Sequence, residues 1–156
     1  MPTTKLKDFL DLNEIKYVRI THSPRFTAQE IAQTTHIPGK ELAKTVMVKL
    51  DDRMAMAVLP ATHQIDFDAL KATSGAKRVE LADEKEFEKL FPDCELGAMP
   101  PFGNLYDLPV YVAQALAEDE EIAFNAGTHT ELFRLPYADF ERLVKPKVLE
   151  FAQLAV

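Results

Sequence analysis

The sequence predicts an α/β domain built on a mixed β-sheet flanked by helices, and two observations carry that prediction. Runs with the two-residue alternation of strands are interleaved with runs that follow the three-to-four spacing of surface helices. Several links between successive strands are too short for a helical crossover, so part of the sheet must pair antiparallel. With 156 residues, 47% of them hydrophobic and 28% charged, the chain suits one domain over residues 1–156 with a core of its own. No internal repeat, low-complexity run or long linker divides it.

Taken in order, Leu6, Phe9 and Leu10 form the apolar stripe of an opening helix that reaches Asn13. Residues 16–20 alternate as a short strand. Thr27 and Glu30 have the spacing of a capping box ahead of Ile31 and Ala32, which starts a second helix near Thr27; Pro38-Gly39 stops it. Residues 43–50 and 53–59 are the clearest strand pair, joined through Asp51-Asp52 as a tight hairpin. A short helix is expected over 67–73 and a strand over 77–81. Asp83 and Glu86 repeat the capping spacing before Phe87 and Leu90, and Pro92 closes that helix. Glu95-Leu96 reads as a strand entering a Gly/Pro loop, followed by a strand over 110–113. Residues 122–126 and 130–135 add two strands around Gly127. Pro136 suits the first position of a last helix carrying Phe140, Leu143 and Val144, which Pro146 ends. The tail 148–156 is expected to add one turn or to fray.

Composition excludes several classes of function. With 25 acidic and 18 basic residues the net charge is −7, which argues against broad binding to duplex nucleic acid. Contact with one end of an RNA remains compatible, because one or two local cations can hold a phosphate on an otherwise acidic surface. No window approaches a membrane span, and the polar start runs straight into a helical pattern, so the chain reads as soluble and cytoplasmic. The single cysteine, Cys94, can form no intramolecular disulfide; with Asp93 before it and no adjacent cation, it reads as a small buried residue. His22 and His36 lie at element ends and His63 in a loop, none at metal-ligand spacing from another, so no metal site is expected.

Three segments could carry chemistry. Lys44 shares a strand face with Val46 and Val48, opposite Thr45, Met47 and Lys49. It either leans into a pocket, as a fixed cation for a phosphate, a carboxylate or an oxyanion, or snorkels out as an ordinary strand-end lysine. Gly97-Ala98-Met99-Pro100-Pro101-Phe102-Gly103 is a constrained loop that could present backbone groups to a ligand, or simply connect two elements. It lacks the Gly-Lys-Ser/Thr ending of a nucleotide phosphate loop. In Asn125-Ala126-Gly127-Thr128-His129, His129 could orient water or a ribose hydroxyl, or bond only locally. Three of the five glycines fall in these last two segments, which asks for a backbone reason.

Together these segments resemble the YbaK-like proteins and the editing domain associated with prolyl-tRNA synthetase. The resemblance covers nearly the whole chain. Its markers are Ala43-Lys44-Thr45-Val46, the stretch from Gly97 to Pro101-Phe102-Gly103, and Ala126-Gly127-Thr128-His129. Tyr17 to His22 and Thr27-Ala28-Gln29-Glu30 look like the family's N-terminal part. The resemblance implies a compact domain around a mixed, partly closed sheet, hydrolysing the ester between a mischarged amino acid and the 3′-terminal adenosine of tRNA.

The partners it implies are the 3′ acceptor end of a mischarged tRNA and an aminoacyl-tRNA synthetase; it implies no cofactor. The family's lysine matches Lys44, its Gly-x-x-x-Pro loop matches Gly97 with Pro101, and its Gly-x-His element matches Gly127 with His129. These five are the expected catalytic residues. Thr45, Met47, Met56, Phe102, Gly103 and Phe124 are the candidates for lining the substrate pocket, and Lys40, Lys44 and Lys49 for a basic patch receiving the acceptor strand. Two other classes stay open: a non-catalytic module that binds aminoacyl-tRNA or a synthetase, and an esterase for small aminoacyl esters.

Overall fold

A computed structural model describes residues 4–22 and 37–154. The helix expected near Thr27 lies outside the described residues, as does His36. The chain opens with α1 (Thr4–Leu12), whose Leu6 and Leu10 are buried, and continues into β1 (Val18–Thr21). A single 3₁₀ turn over Gly39–Glu41 leads to the hairpin of β2 (Ala43–Leu50) and β3 (Arg53–Pro60). Asp51 and Asp52 both take positive φ, 50° and 67°, the backbone a two-residue hairpin turn needs to match strand twist. Asp51 also uses its carboxylate, accepting the N–H groups of Lys77 and Arg78 at 2.9 Å each.

Beyond the hairpin come β4 (His63–Ile65), α2 (Phe67–Ser74), β5 (Val79–Leu81) and α3 (Glu84–Phe87). Asp66 caps α2 through the Ala69 N–H, and Gly75 ends it in the left-handed region at φ 78°. The expected capping box of Asp83 and Glu86 is present on α3, and a 3₁₀ turn continues it over Glu88–Leu90. The rest comprises β6 (Val110–Ala113), α4 (Gln114–Ala117), β7 (Glu121–Asn125), β8 (Glu131–Pro136), α5 (Tyr137–Val144), β9 (Lys147–Leu149) and β10 (Ala152–Leu154).

The sheet is mixed, as the short links require. Its five-stranded part has the order β5-β2-β3-β6-β9; β5, β2 and β3 pair antiparallel, whereas β3–β6 and β6–β9 are parallel. A second, antiparallel part runs β1-β8-β7, and β10 pairs with β4. A parallel bridge between Leu42 and Ala123 joins the two larger sheets where β2 begins, which partly closes the structure. Central β3 is buried from Ala55 onward because both of its faces are covered. Met56 and Val58 face the larger core with Leu6, Leu10, Phe102, Phe124, Phe133 and Phe140. Ala55, Ala57 and Leu59 face a smaller core under α2, with Leu70 and Phe151.

Four local expectations are corrected. Glu95-Leu96 is a turn: the Ala98 N–H closes back on the Glu95 carbonyl at 3.0 Å, and no ladder forms. The tail neither frays nor turns helical, since β9 and β10 find partners distant in sequence. His63 sits in β4, not in a loop. Pro136 is the last residue of β8 and precedes the helix; it pairs only with Glu121 of β7, so its missing N–H breaks no ladder bond to β1.

Candidate functional site

Lys44 stands at the second position of β2, opposite Leu59, on the face of Val46 and Val48. It is half-buried, and among the described residues no hydrogen bond or ion pair engages it. Burial alone lowers its ammonium below the ordinary lysine value of 10.5. On the other edge of β2, β5 pairs with residues 48–50, and β7, which packs beside the strand, forms a ladder bridge among the described residues only at Leu42–Ala123, just before β2 begins. Two residues beyond that bridge are Lys44 on one strand and Asn125 on the other. Because β2 and β7 run parallel there, the turn that follows Asn125 leaves the sheet at the Lys44 end of β2.

That turn is interlocked with the Gly97 loop. The Glu95 N–H donates to the Gly127 carbonyl at 2.8 Å, and the Gly127 N–H donates to the Ala98 carbonyl at 2.9 Å. The backbone N–H of His129 donates to the Glu95 carboxylate at 2.6 Å. His129 Nε2 lies 2.7 Å from the Leu96 carbonyl. A carbonyl only accepts, so the neutral ring carries its hydrogen on Nε2 and leaves Nδ1 as the basic nitrogen. Both glycines hold positive φ, 87° at Gly97 and 100° at Gly127, a region other residues enter at a cost. A Cβ on Gly97 would also stand 3.4 Å from His129 Cε1, so the imidazole lies against that glycine. Among the described residues the Gly97 N–H has only the sulfur of Met99 as its partner, at 3.3 Å, and a thioether is a weak acceptor.

The structure thus brings Gly97, Gly127 and His129 together through hydrogen bonds, and the parallel bridge sets the backbone of Lys44 level with Asn125, two residues ahead of Gly127. Pro101 is buried and fixes the exit of the loop. Phe102 packs edge-to-face on Phe140 with ring centroids 5.4 Å apart and is fully buried. Gly103 is bare by necessity, since a Cβ would fall 2.4 Å from the Leu108 carbonyl oxygen. Met47, Met56, Phe102 and Phe124 all lie in the larger core, and Thr45 shares their face of β2, the face opposite Lys44.

Lys49 does not join the expected basic patch of Lys40, Lys44 and Lys49. Lys49 lies five residues along β2 from Lys44, about 17 Å away and on the opposite face. It is paired with Glu86 at 2.8 Å and Glu80 at 3.6 Å. Sequence reading missed Glu95; its only signal there was a carboxylate two residues ahead of Gly97. Behind the loop is a cleft of about 360 Å³ lined by Phe91, Pro92, Cys94, Glu95, Leu96 and Met99, among others. Burial pushes the Cys94 thiol up to about 11, so it is not a ready nucleophile. Among the described residues, no group of three His, Cys, Asp or Glu side chains is arranged to hold a metal.

The family model for the aminoacyl-tRNA editing domain matches residues 22–143, most of the chain and all three of these segments. The chain belongs to the aminoacyl-tRNA editing domain family. Within that YbaK-like group it is similar to the multifunctional Ser/Thr-tRNA deacylase ProXp-y of Escherichia coli (strain K12). The two are 28% identical over 141 residues, which is 87% of this chain and 84% of that protein. A proline–tRNA ligase of Bacillus cereus (strain AH187) is 26% identical over 89 residues, 57% of this chain and 16% of the ligase. The fold matches a crystal structure described as a candidate trans-editing enzyme for prolyl-tRNA synthetase, with a TM-score of 0.83, 21% identity and 97% coverage of both chains.

Proposed function

We propose that this protein acts in trans as an aminoacyl-tRNA deacylase, hydrolysing the ester between a mischarged amino acid and the 3′-terminal adenosine of tRNA. The observation that supports this most is the interlocking of the Gly97 and Gly127 bends at the end of the sheet where a half-buried lysine stands with no partner among the described residues. An ester has a fair leaving group, so the site need supply no strong nucleophile. It must place water against the carbonyl and stabilise the oxyanion. The Gly97 N–H is suited to the second task, because an oxyanion is a far better acceptor than the Met99 sulfur it would displace. Lys44 supplies the fixed positive charge for the terminal phosphate or the carbonyl oxygen. His129 presents Nδ1 to water or a ribose hydroxyl, its other nitrogen being held by Leu96.

The net charge of −7 makes intrinsic tRNA affinity weak, and association with a synthetase would raise the local concentration of substrate. The likeness to a Ser/Thr-tRNA deacylase makes seryl and threonyl esters the first to try. The test is a deacylation screen over a panel of mischarged tRNAs with wild-type and Lys44→Ala proteins. The expected result is turnover of at least one tRNA, reduced roughly 10²-fold or more by the substitution. Binding without hydrolysis across the panel would overturn the reading in favour of a non-catalytic module. Equal hydrolysis of small aminoacyl esters lacking the tRNA would overturn it in favour of a simple esterase.

A further inference from the structure

We infer that Glu95 is a positioning residue for this reaction, its carboxylate holding the Gly127–His129 bend in register with the Gly97 loop. The inference rests on the deacylase reading above. Three bonds converge on this one residue. Its side chain accepts the His129 N–H at 2.6 Å, its own N–H donates to the Gly127 carbonyl at 2.8 Å, and its carbonyl accepts the Ala98 N–H at 3.0 Å. Segments 34 residues apart in the chain are thereby tied through a single side chain. The backbone contacts survive substitution at position 95; the carboxylate contact does not.

The carboxylate contact also controls the imidazole. His129 is fixed twice, by its N–H on Glu95 and by Nε2 on Leu96. The ring lies against Gly97, 3.4 Å from where a Cβ would stand, and the Gly97 N–H is the proposed oxyanion donor. Loss of the carboxylate frees the His129 backbone N–H and leaves the residue held by the Leu96 carbonyl and, two residues back, by the Gly127 backbone bonds. His129 Nδ1 and the Gly97 N–H then lose their common alignment. Glu95 is itself exposed and belongs to no core cluster, so its removal opens no cavity and has little effect on global stability.

The test compares Glu95→Ala and Glu95→Gln in single-turnover deacylation, with amide hydrogen exchange of Gly127 and His129 read by NMR. Glu95→Ala is expected to lower kcat roughly 10²-fold, the scale of an ångström-sized misplacement, with KM for the tRNA and Tm close to wild type. Glu95→Gln keeps an oxygen acceptor at the same reach and is expected to recover most of kcat. Protection of the His129 amide should fall in the Ala variant and return in the Gln variant. A Glu95→Ala protein with wild-type kcat overturns the inference, and so does a loss of kcat with His129 protection unchanged. If the wild type hydrolyses no aminoacyl-tRNA, the deacylase reading fails by itself. The exchange data then still decide whether Glu95 holds the bend: unchanged protection in Glu95→Ala rejects it.

Discussion

Replacing Lys44 with methionine is expected to remove hydrolysis and, at the same time, to stabilise the fold. The ammonium group is half-buried on the Val46/Val48 face with no counter-ion among the described residues, so folding strips part of its water shell without electrostatic return. Methionine keeps an unbranched stem that ends in a methyl group where the lysine Cε lies, and drops the ammonium. Retained burial of one further methyl-sized group is worth about 0.8 kcal/mol, and the relief of desolvation adds little because solvent screens the exposed half. The net gain should be about 0.5–1 kcal/mol, or roughly 1–4 °C in Tm at this chain length. Activity should fall by about 10²–10³-fold, the loss seen when one preorganised stabiliser of an oxyanion is removed.

The pH dependence carries a definite sign. Burial lowers the folded-state pKa of Lys44 below 10.5, so between that lowered value and 10.5 the unfolded chain holds more protons than the folded one. Wild-type stability contributed by this group therefore rises with pH across that window, and the penalty is fully present below it. Urea denaturation of both proteins from pH 7 to 10.5 should show the advantage of Lys44→Met shrinking as pH rises. A methionine variant less stable than wild type by more than about 1 kcal/mol, a common scale for point substitutions, would refute the argument. A difference that stays constant up to pH 10.5 would also refute it, because the lysine would then have the same pKa folded and unfolded.

Three further outcomes are expected. Gly103→Ala should destabilise by about 1–3 kcal/mol or more through overpacking, because its Cβ would meet the Leu108 carbonyl oxygen at 2.4 Å and Val110 Cγ2 at 2.6 Å. Gly75→Ala, with positive φ but nothing within 4 Å, should cost only about 1–2 kcal/mol, and urea midpoints of the two variants rank them. Asp119, whose carboxyl is raised from 3.8 to about 6 by burial, contributes stability that is present below pH 4 and lost as pH rises through 6. Asp119→Asn should therefore flatten the stability profile across that window and leave the protein more stable at pH 7, as read by thermal melts against pH. Lys49→Ala should leave deacylation unchanged, since that ammonium is held by Glu86 and Glu80 on the face away from Lys44; a loss of kcat would return Lys49 to the site.

Elements with strong local signals were legible in advance. The hairpin around Asp51-Asp52 and the Asp83/Glu86 capping box lie within a residue or two of their expected places. Strands β4, β9 and β10 were not legible, because each is three residues long and exists only through a distant partner. The three chemistry-bearing segments stood out through glycine, proline and histidine placement. Which of them touch, and through which atoms, was not readable.

The order of the longer elements, the mixed character of the sheet, the tight hairpin and the family to which the chain belongs were all determined by the linear sequence. They follow from periodicity, turn chemistry and motif order, each of which acts over a few residues. The tertiary structure alone decided that Glu95 ties the two glycine bends, that Lys49 points away from Lys44 into its own ion pairs, and that Met47, Phe102 and Phe124 belong to the core. Those outcomes depend on through-space distances between segments tens of residues apart. Such distances are fixed by how the whole chain packs, and no local pattern encodes them.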